Sequence, residues 1–222
     1  MLGKEKISIR LVVRYLYTII GIFFVGLGIA IAKQGDLGIS PVSSVANVIS
    51  IQFPVLTIGT WVMLWNCVML VIQILILRKD FKIIQLLQFP LSFLLGWFTD
   101  LNLLWVKHIP ADYYVVQILF VICSSLVLAT GIIFMLVSNT VMNVGDALVN
   151  VISLKLNKNY GTVKIVFDVT IVTLSVILSF LFFGKLMGTR EGTIITACLT
   201  GTNVKILSKI IKKPLTKIIE EK

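Results

Sequence analysis

Ionisable and amide side chains are scarce in the long apolar stretches of this chain, and those of most interest fall in two kinds of place. The first is a pair of short polar stripes: Ser43, Asn47 and Ser50 within "SPVSSVANVIS", and Asp146, Asn150 and Ser153 within "NVGDALVNVIS". The second is a pair of isolated residues, Asn66 in the second apolar run and Asp168 in the fifth. At membrane depth such side chains bind solutes or carry protons, because an ionisable group there is expensive to keep without a use. Asp168 reads in two ways, as a proton-coupling group or as one half of an i, i+4 ion pair with Lys164 at the headgroup boundary. Asn66 suits a substrate contact or, more commonly, a hydrogen bond between helices.

The rest of the inventory argues against covalent chemistry. His108 is the only histidine and falls in a loop, where it reads as solvated. Cys67, Cys123 and Cys198 sit singly inside apolar runs, without metal-ligand spacing, as small buried hydrophobes. With no nucleophile–base pair, ligand cluster or phosphate-binding glycine loop, the sequence predicts neither an enzyme nor a metal or cofactor.

The elements that must position the polar residues are set by composition. Hydrophobic residues make up 58% and charged residues 14% of the 222, where a soluble domain carries about a quarter charged. The apolar residues gather in runs of about 20 or more, enough to cross a hydrocarbon core: residues 11–32, 56–77, 81–106, 113–137 and 163–183. A sixth, 194–211, is diluted by Thr196, Thr200, Thr202, Asn203 and Lys205. The first run follows Lys4, Lys6 and Arg10 like a signal peptide but is too long and lacks a small-residue cleavage site, so it is read as a span. Gln85, Gln88 and Pro90 interrupt the third and predict a kink.

Loop charge fixes the orientation. With six spans and the N-terminus inside, only Lys33, Lys107, Lys185 and Arg190 of the 20 basic residues fall outside, as the positive-inside rule requires. The net charge of +10 is thereby explained by orientation and anionic headgroups, so the expected partner is the lipid bilayer and not nucleic acid. Trp61, Trp105, Tyr113 and Tyr114 fall near the outer boundary, and Tyr15, Tyr17 and Tyr160 near the inner one, the usual place for amphipathic rings.

Sliding the chain on itself by about 103 residues pairs Gly28 with Gly131, Ile29 with Ile132, and the run Asn47–Ser50 with Asn150–Ser153. With one residue deleted, Gly59 and Thr60 fall on Gly161 and Thr162, and Asn66 on Asp168. After a further insertion, Gly96 meets Gly201. The reading is two halves of three spans, residues 1–107 and 108–222, and an odd number of spans turns the second half upside down.

Each half carries a short helix, near 41–51 and 144–154. Ser40 is a good N-cap, Pro41 suits a first turn, and Val42, Val45, Ala46 and Ile49 share one face. At 1.5 Å per residue such a helix reaches only about 15–18 Å and cannot span. It either lies in the interface as a connector or re-enters the membrane with its polar stripe on a cavity. In the second case the free N–H groups at its start favour an anionic group. Val144 stands where Pro41 would repeat, so the two short helices are not strict copies.

The strings "AKQGDLGISPVSSV", "GTWVMLWN", "LLQFPLSFLLGWFTD" and "EGTIITACLTG" resemble the YczE/YyaS/YitT-like family of bacterial integral membrane proteins, nearest its YczE-like branch, over roughly residues 14–207. The resemblance implies a bacterial inner-membrane location and no residue role. The sequence therefore predicts an all-α, six-span membrane protein with both termini cytoplasmic. Its expected function is that of a small permease or exporter of a polar or anionic solute, with the site lined by Ser43, Asn47, Asn66, Asp146, Asn150 and Asp168. A membrane accessory protein that docks a partner through the basic tail "KILSKIIKKPLTKIIEEK" is the alternative, and so small a protein also suits a homodimer.

Overall fold

The structure, a computed structural model, describes residues 2–221 and is built from α-helices. In chain order these are α1 (Leu2–Gln34), α2 (Pro41–Gln52), α3 (Ile58–Leu77), α4 (Gln88–Val106), α5 (Tyr114–Ser138), α6 (Val144–Leu156), α7 (Tyr160–Phe183) and α8 (Glu191–Glu221). Six segments are long and apolar enough to cross a membrane: Arg10–Gln34, Ile58–Asp80, Ile83–Val106, Tyr114–Ser138, Tyr160–Phe183 and Glu191–Lys217. The sixth run, diluted by threonines, is thus part of one continuous helix. The predicted break in the third run appears as a short 3-10 stretch, Ile83–Leu87, that passes directly into α4 and places Pro90 in its first turn, where proline's missing N–H costs nothing.

Local chemistry sets the boundaries. Thr57 caps α3 by accepting the Thr60 N–H, and Asn159 caps α7 by accepting that of Gly161, each satisfying a donor left over at a helix start. Asn139, Asn157 and Gly184 end α5, α6 and α7 in the left-handed conformation. Inside the helices, hydroxyls bond back along their own turns, as Ser92 does to the Gln88 carbonyl and Thr99 to that of Leu95. This lets polar residues occupy an apolar environment without orphaned groups.

α1 and α5 pack along much of their lengths at the centre, with α4 on α1 and α8 on α5. Small residues set the approach. A β-carbon on Gly28 would lie 2.5 Å from the Leu128 side chain, and one on Gly131 would lie 2.8 Å from the Val25 backbone nitrogen. The main core joins Ile22, Val25 and Ile29 of α1 to Ala46, Val62, Leu95 and Leu128 from four other helices. Apolar side chains such as Val71, Trp97, Leu119, Val169 and Leu181 face outward, as expected of a surface in lipid.

The two short helices do not lie on the surface. α2 packs against α3 and α7, and α6 against α3 and α7. On α2 nearly every residue from Pro41 to Val48 is buried, and on α6 Val144, Gly145, Ala147, Leu148 and Val149 are buried. An interfacial connector would keep one wet face, which α2 lacks. Their starting ends meet, since a β-carbon on Gly145 would come within 2.8 Å of Val42.

Candidate functional site

Where the short helices meet, α1, α3, α5, α7 and α8 enclose a cavity of about 460 Å³. One wall is charged. Lys164 of α7 donates to Asp168 Oδ1 at 3.0 Å, one turn along the same helix, and lies 3.3 Å from Asp146 Oδ1 in the first turn of α6. The Tyr160 hydroxyl donates to the same Asp146 oxygen at 3.3 Å. All three charged side chains remain about a quarter exposed, so the triad meets the cavity and is not sealed in protein. Asp146 is held in place by two positive influences, the ammonium of α7 and the N-terminal end of its own helix.

The remaining walls are neutral. Ser40 and Ser43 from the start of α2, Asn66 of α3, Asn143 before α6, and Thr196 and Thr200 of α8 line it with apolar side chains between them. Asn66 is 4% exposed and its Nδ2 has no partner; Thr196 is fully buried and its Oγ1 has none. A buried donor left without an acceptor costs about 1–3 kcal/mol. Neither atom has surface open to the cavity, so both sit just behind its wall.

Four of the six residues singled out in the sequence come together here: Ser43, Asn66, Asp146 and Asp168. Asn150 lies beside them, in a crevice of about 160 Å³ with Gln85, Gln88 and Thr140. Asn47 has a different post. Its Oδ1 accepts from Lys33 Nζ at 2.6 Å and its Nδ2 donates to the Gly188 carbonyl at 2.5 Å, which ties the end of α1 to the turn before α8. The Lys164–Asp168 ion pair, one of the two readings of their spacing, is present, and Asp146 joins it from α6 with no signal in the sequence. Thr196 and Thr200 share one helical face by their spacing of four, a signal carried by the same threonines that dilute the sixth span. Tyr17 and Tyr160 are not simple interfacial rings: Tyr17 is buried edge-on to Phe134, and Tyr160 serves Asp146.

The two sides of the cavity differ in how their helices close. α3 and α4 are in tight contact, and a β-carbon on Gly96 would lie 2.5 Å from the Gly59 carbonyl oxygen. Asp100 of α4 clasps the start of α3, accepting from the Gly59 N–H at 2.8 Å and the Thr57 hydroxyl at 2.5 Å. α7 and α8 barely touch. Around Gly201 a β-carbon would meet nothing within 4 Å, and around Gly161 only Asn159 Oδ1.

A family model described as "Family of unknown function (DUF6198)" matches residues 12–209. No curated protein and no solved structure matches the chain.

Proposed function

For this chain, which belongs to that family of unknown function, we propose the role of a small secondary transporter, a permease or exporter that carries a polar small molecule through the cavity between two inverted halves. The observation that carries the reading is the contrast just described. One cavity, apolar over most of its lining with a charged wall, has one flank sealed by α3 and α4 and the corresponding flank, between α7 and α8, open.

Several correspondences support the two halves. α2 and α6 begin at residues 41 and 144, and α3 and α7 at 58 and 160, the offsets found in the sequence alignment. Gly28 meets Leu128 while Gly131 meets Val25, and these are the same pair of positions exchanged between copies. The pairing of α1 with α4 matches that of α5 with α8, and α2 meets α7 as α3 meets α6. In transporters built this way, the halves exchange conformations and expose a fixed central site to each side in turn. The pair α3–α4 would then part when α7 and α8 close.

The distribution of lysine and arginine supports a bacterial cell membrane with both ends of the chain cytoplasmic, as does the resemblance to the YczE-like branch. Docking through the basic tail is less well supported. Leu207, Ile211 and Leu215 of α8 already pack on the core of Tyr17, Ile133 and Val137, so much of the tail's apolar surface is in use, and Ile206 and Ile210 are what stays exposed. The test is side-specific labelling of Ser43→Cys in a protein free of Cys67, Cys123 and Cys198, in vesicles of both orientations. A transporter gives labelling by an impermeant thiol reagent from both faces. Reaction from one face only, under every condition, excludes the role.

A further inference from the structure

The charged groups on the cavity wall do not balance. Asp146 and Asp168 contribute two negative charges, Lys164 one positive, and no other charged side chain lines the space. The single ammonium is already shared between both carboxylates. An anion entering the cavity would find no unengaged cation and one surplus negative charge. Of the two helix starts on the wall, that of α6 already carries Asp146 in its first turn, and that of α2, with no acidic residue there, supplies only a partial positive charge. Ser43 and Asn143 add hydroxyl and amide groups to the neutral walls. A volume of about 460 Å³ is far larger than a bare inorganic ion.

We infer that the cavity binds a small organic cation bearing oxygen acceptors, and that this cation competes with a proton for the one surplus negative charge on the Asp146–Lys164–Asp168 triad. The cationic group sits against the carboxylate oxygens that Lys164 leaves free, and the oxygen acceptors take the donors of Ser43 and Asn143. A proton on either carboxyl group neutralises the triad and removes the attraction. Apart from the triad and Tyr160, no titratable side chain lines the cavity, so proton and cation contend at this one place. Cation binding thus releases a proton when the triad is protonated, the condition for exchanging one for the other across a membrane. The inference rests on the transport reading for its direction of use but concerns the charge of the site itself.

Choline suits the test because its charge does not titrate, and 3,3-dimethylbutan-1-ol is its neutral isostere. Isothermal titration of the purified full chain should show choline binding about tenfold or more tighter than the isostere, with acetate not binding, given one uncompensated charge a few ångströms from the ligand. Titrations in buffers of different ionisation enthalpy should show proton release on choline binding, increasing as the pH is lowered into the range where the triad takes up a proton. Asp168→Asn and Asp146→Asn should each bring choline down to the level of the isostere while leaving isostere binding intact, which also shows that the fold survives. Lys164→Gln should tighten choline binding, the opposite of what loss of a merely structural ion pair would do. Equal binding of choline and isostere, preference for acetate, or no choline heat at about 10 mM, a concentration that detects even weak binding, overturns the inference. Failure here leaves the two-sided labelling of Ser43→Cys untouched, and one-sided labelling with charge-selective choline binding would sink the transport reading alone.

Discussion

Gly59→Ala tests how the closed flank is held. A β-carbon there would overlap the Gly96 carbonyl oxygen and lie 2.6 Å from the Asp100 carboxylate, against a normal contact of about 3.5 Å. α3 and α4 must then separate by about 1 Å, and the hydrogen bonds from the Gly59 N–H and Thr57 hydroxyl to Asp100 lengthen with them. Forced overpacking of this kind costs about 1–3 kcal/mol. If the contact exists in only one of two states, that cost falls on the sealed state and shifts the balance about 5–150-fold toward the other. The assay is the labelling rate of Ser43→Cys from the membrane face that carries Asp100, in vesicles of known orientation. Labelling should accelerate, and Gly201→Ala, the counterpart of a change at Gly96, which meets open space in this state, should slow it. An unchanged rate in Gly59→Ala would mean that the α3–α4 contact is a fixed structural joint, and the gating argument would fail.

Asp100→Ala removes the same clasp without adding bulk and should also accelerate that labelling. Thr196→Val replaces an unpaired buried hydroxyl with an isosteric methyl and should leave the unfolding temperature in detergent unchanged or raised. Asn47→Ala should do the reverse, because its bonds to Lys33 and Gly188 are structural: a loss of about 1–3 kcal/mol in unfolding free energy, with little change in choline affinity. Deleting the chain beyond Lys217, past the apolar contacts of Ile211 and Leu215, should leave two-sided labelling intact, whereas loss of function with that segment would favour a docking role.

The spans, the short helices and their starting residues were legible because each depends on local chemistry. Hydropathy over about 20 residues fixed the spans, and Ser40–Pro41 announced the start of α2 where the structure has it. The Lys164–Asp168 pair was equally local, being one turn apart. What could not be read was tertiary. Nothing in "NVGDALVNVIS" says that Asp146 faces Lys164, because the residues that bring α6 to α7 lie elsewhere in the chain. The polar stripe Ser43/Asn47/Ser50 was a true helical feature, yet only Ser43 reaches the cavity. Asn47 turns to Lys33 and Gly188 because α2 is enclosed by protein and has no single wet face. The difference between Gly59–Gly96 and Gly161–Gly201 was also invisible, since the aligned sequence makes the two pairs look alike and only packing separates them.

The central claim, that the two halves exchange arrangements, is tested most directly by cross-linking Gly161→Cys to Gly201→Cys in the cysteine-free protein in native membranes. Gly201 has open space for the new side chain in this state and Gly161 meets only Asn159 Oδ1, at 3.2 Å, and a disulfide needs their Cα atoms within about 7 Å. The account predicts that oxidation forms the bond, through a state in which α7 and α8 meet as α3 and α4 do here, and that Ser43→Cys then reacts from the Asp100 face alone. Absence of the cross-link, with each cysteine singly reactive toward a thiol reagent, would contradict it.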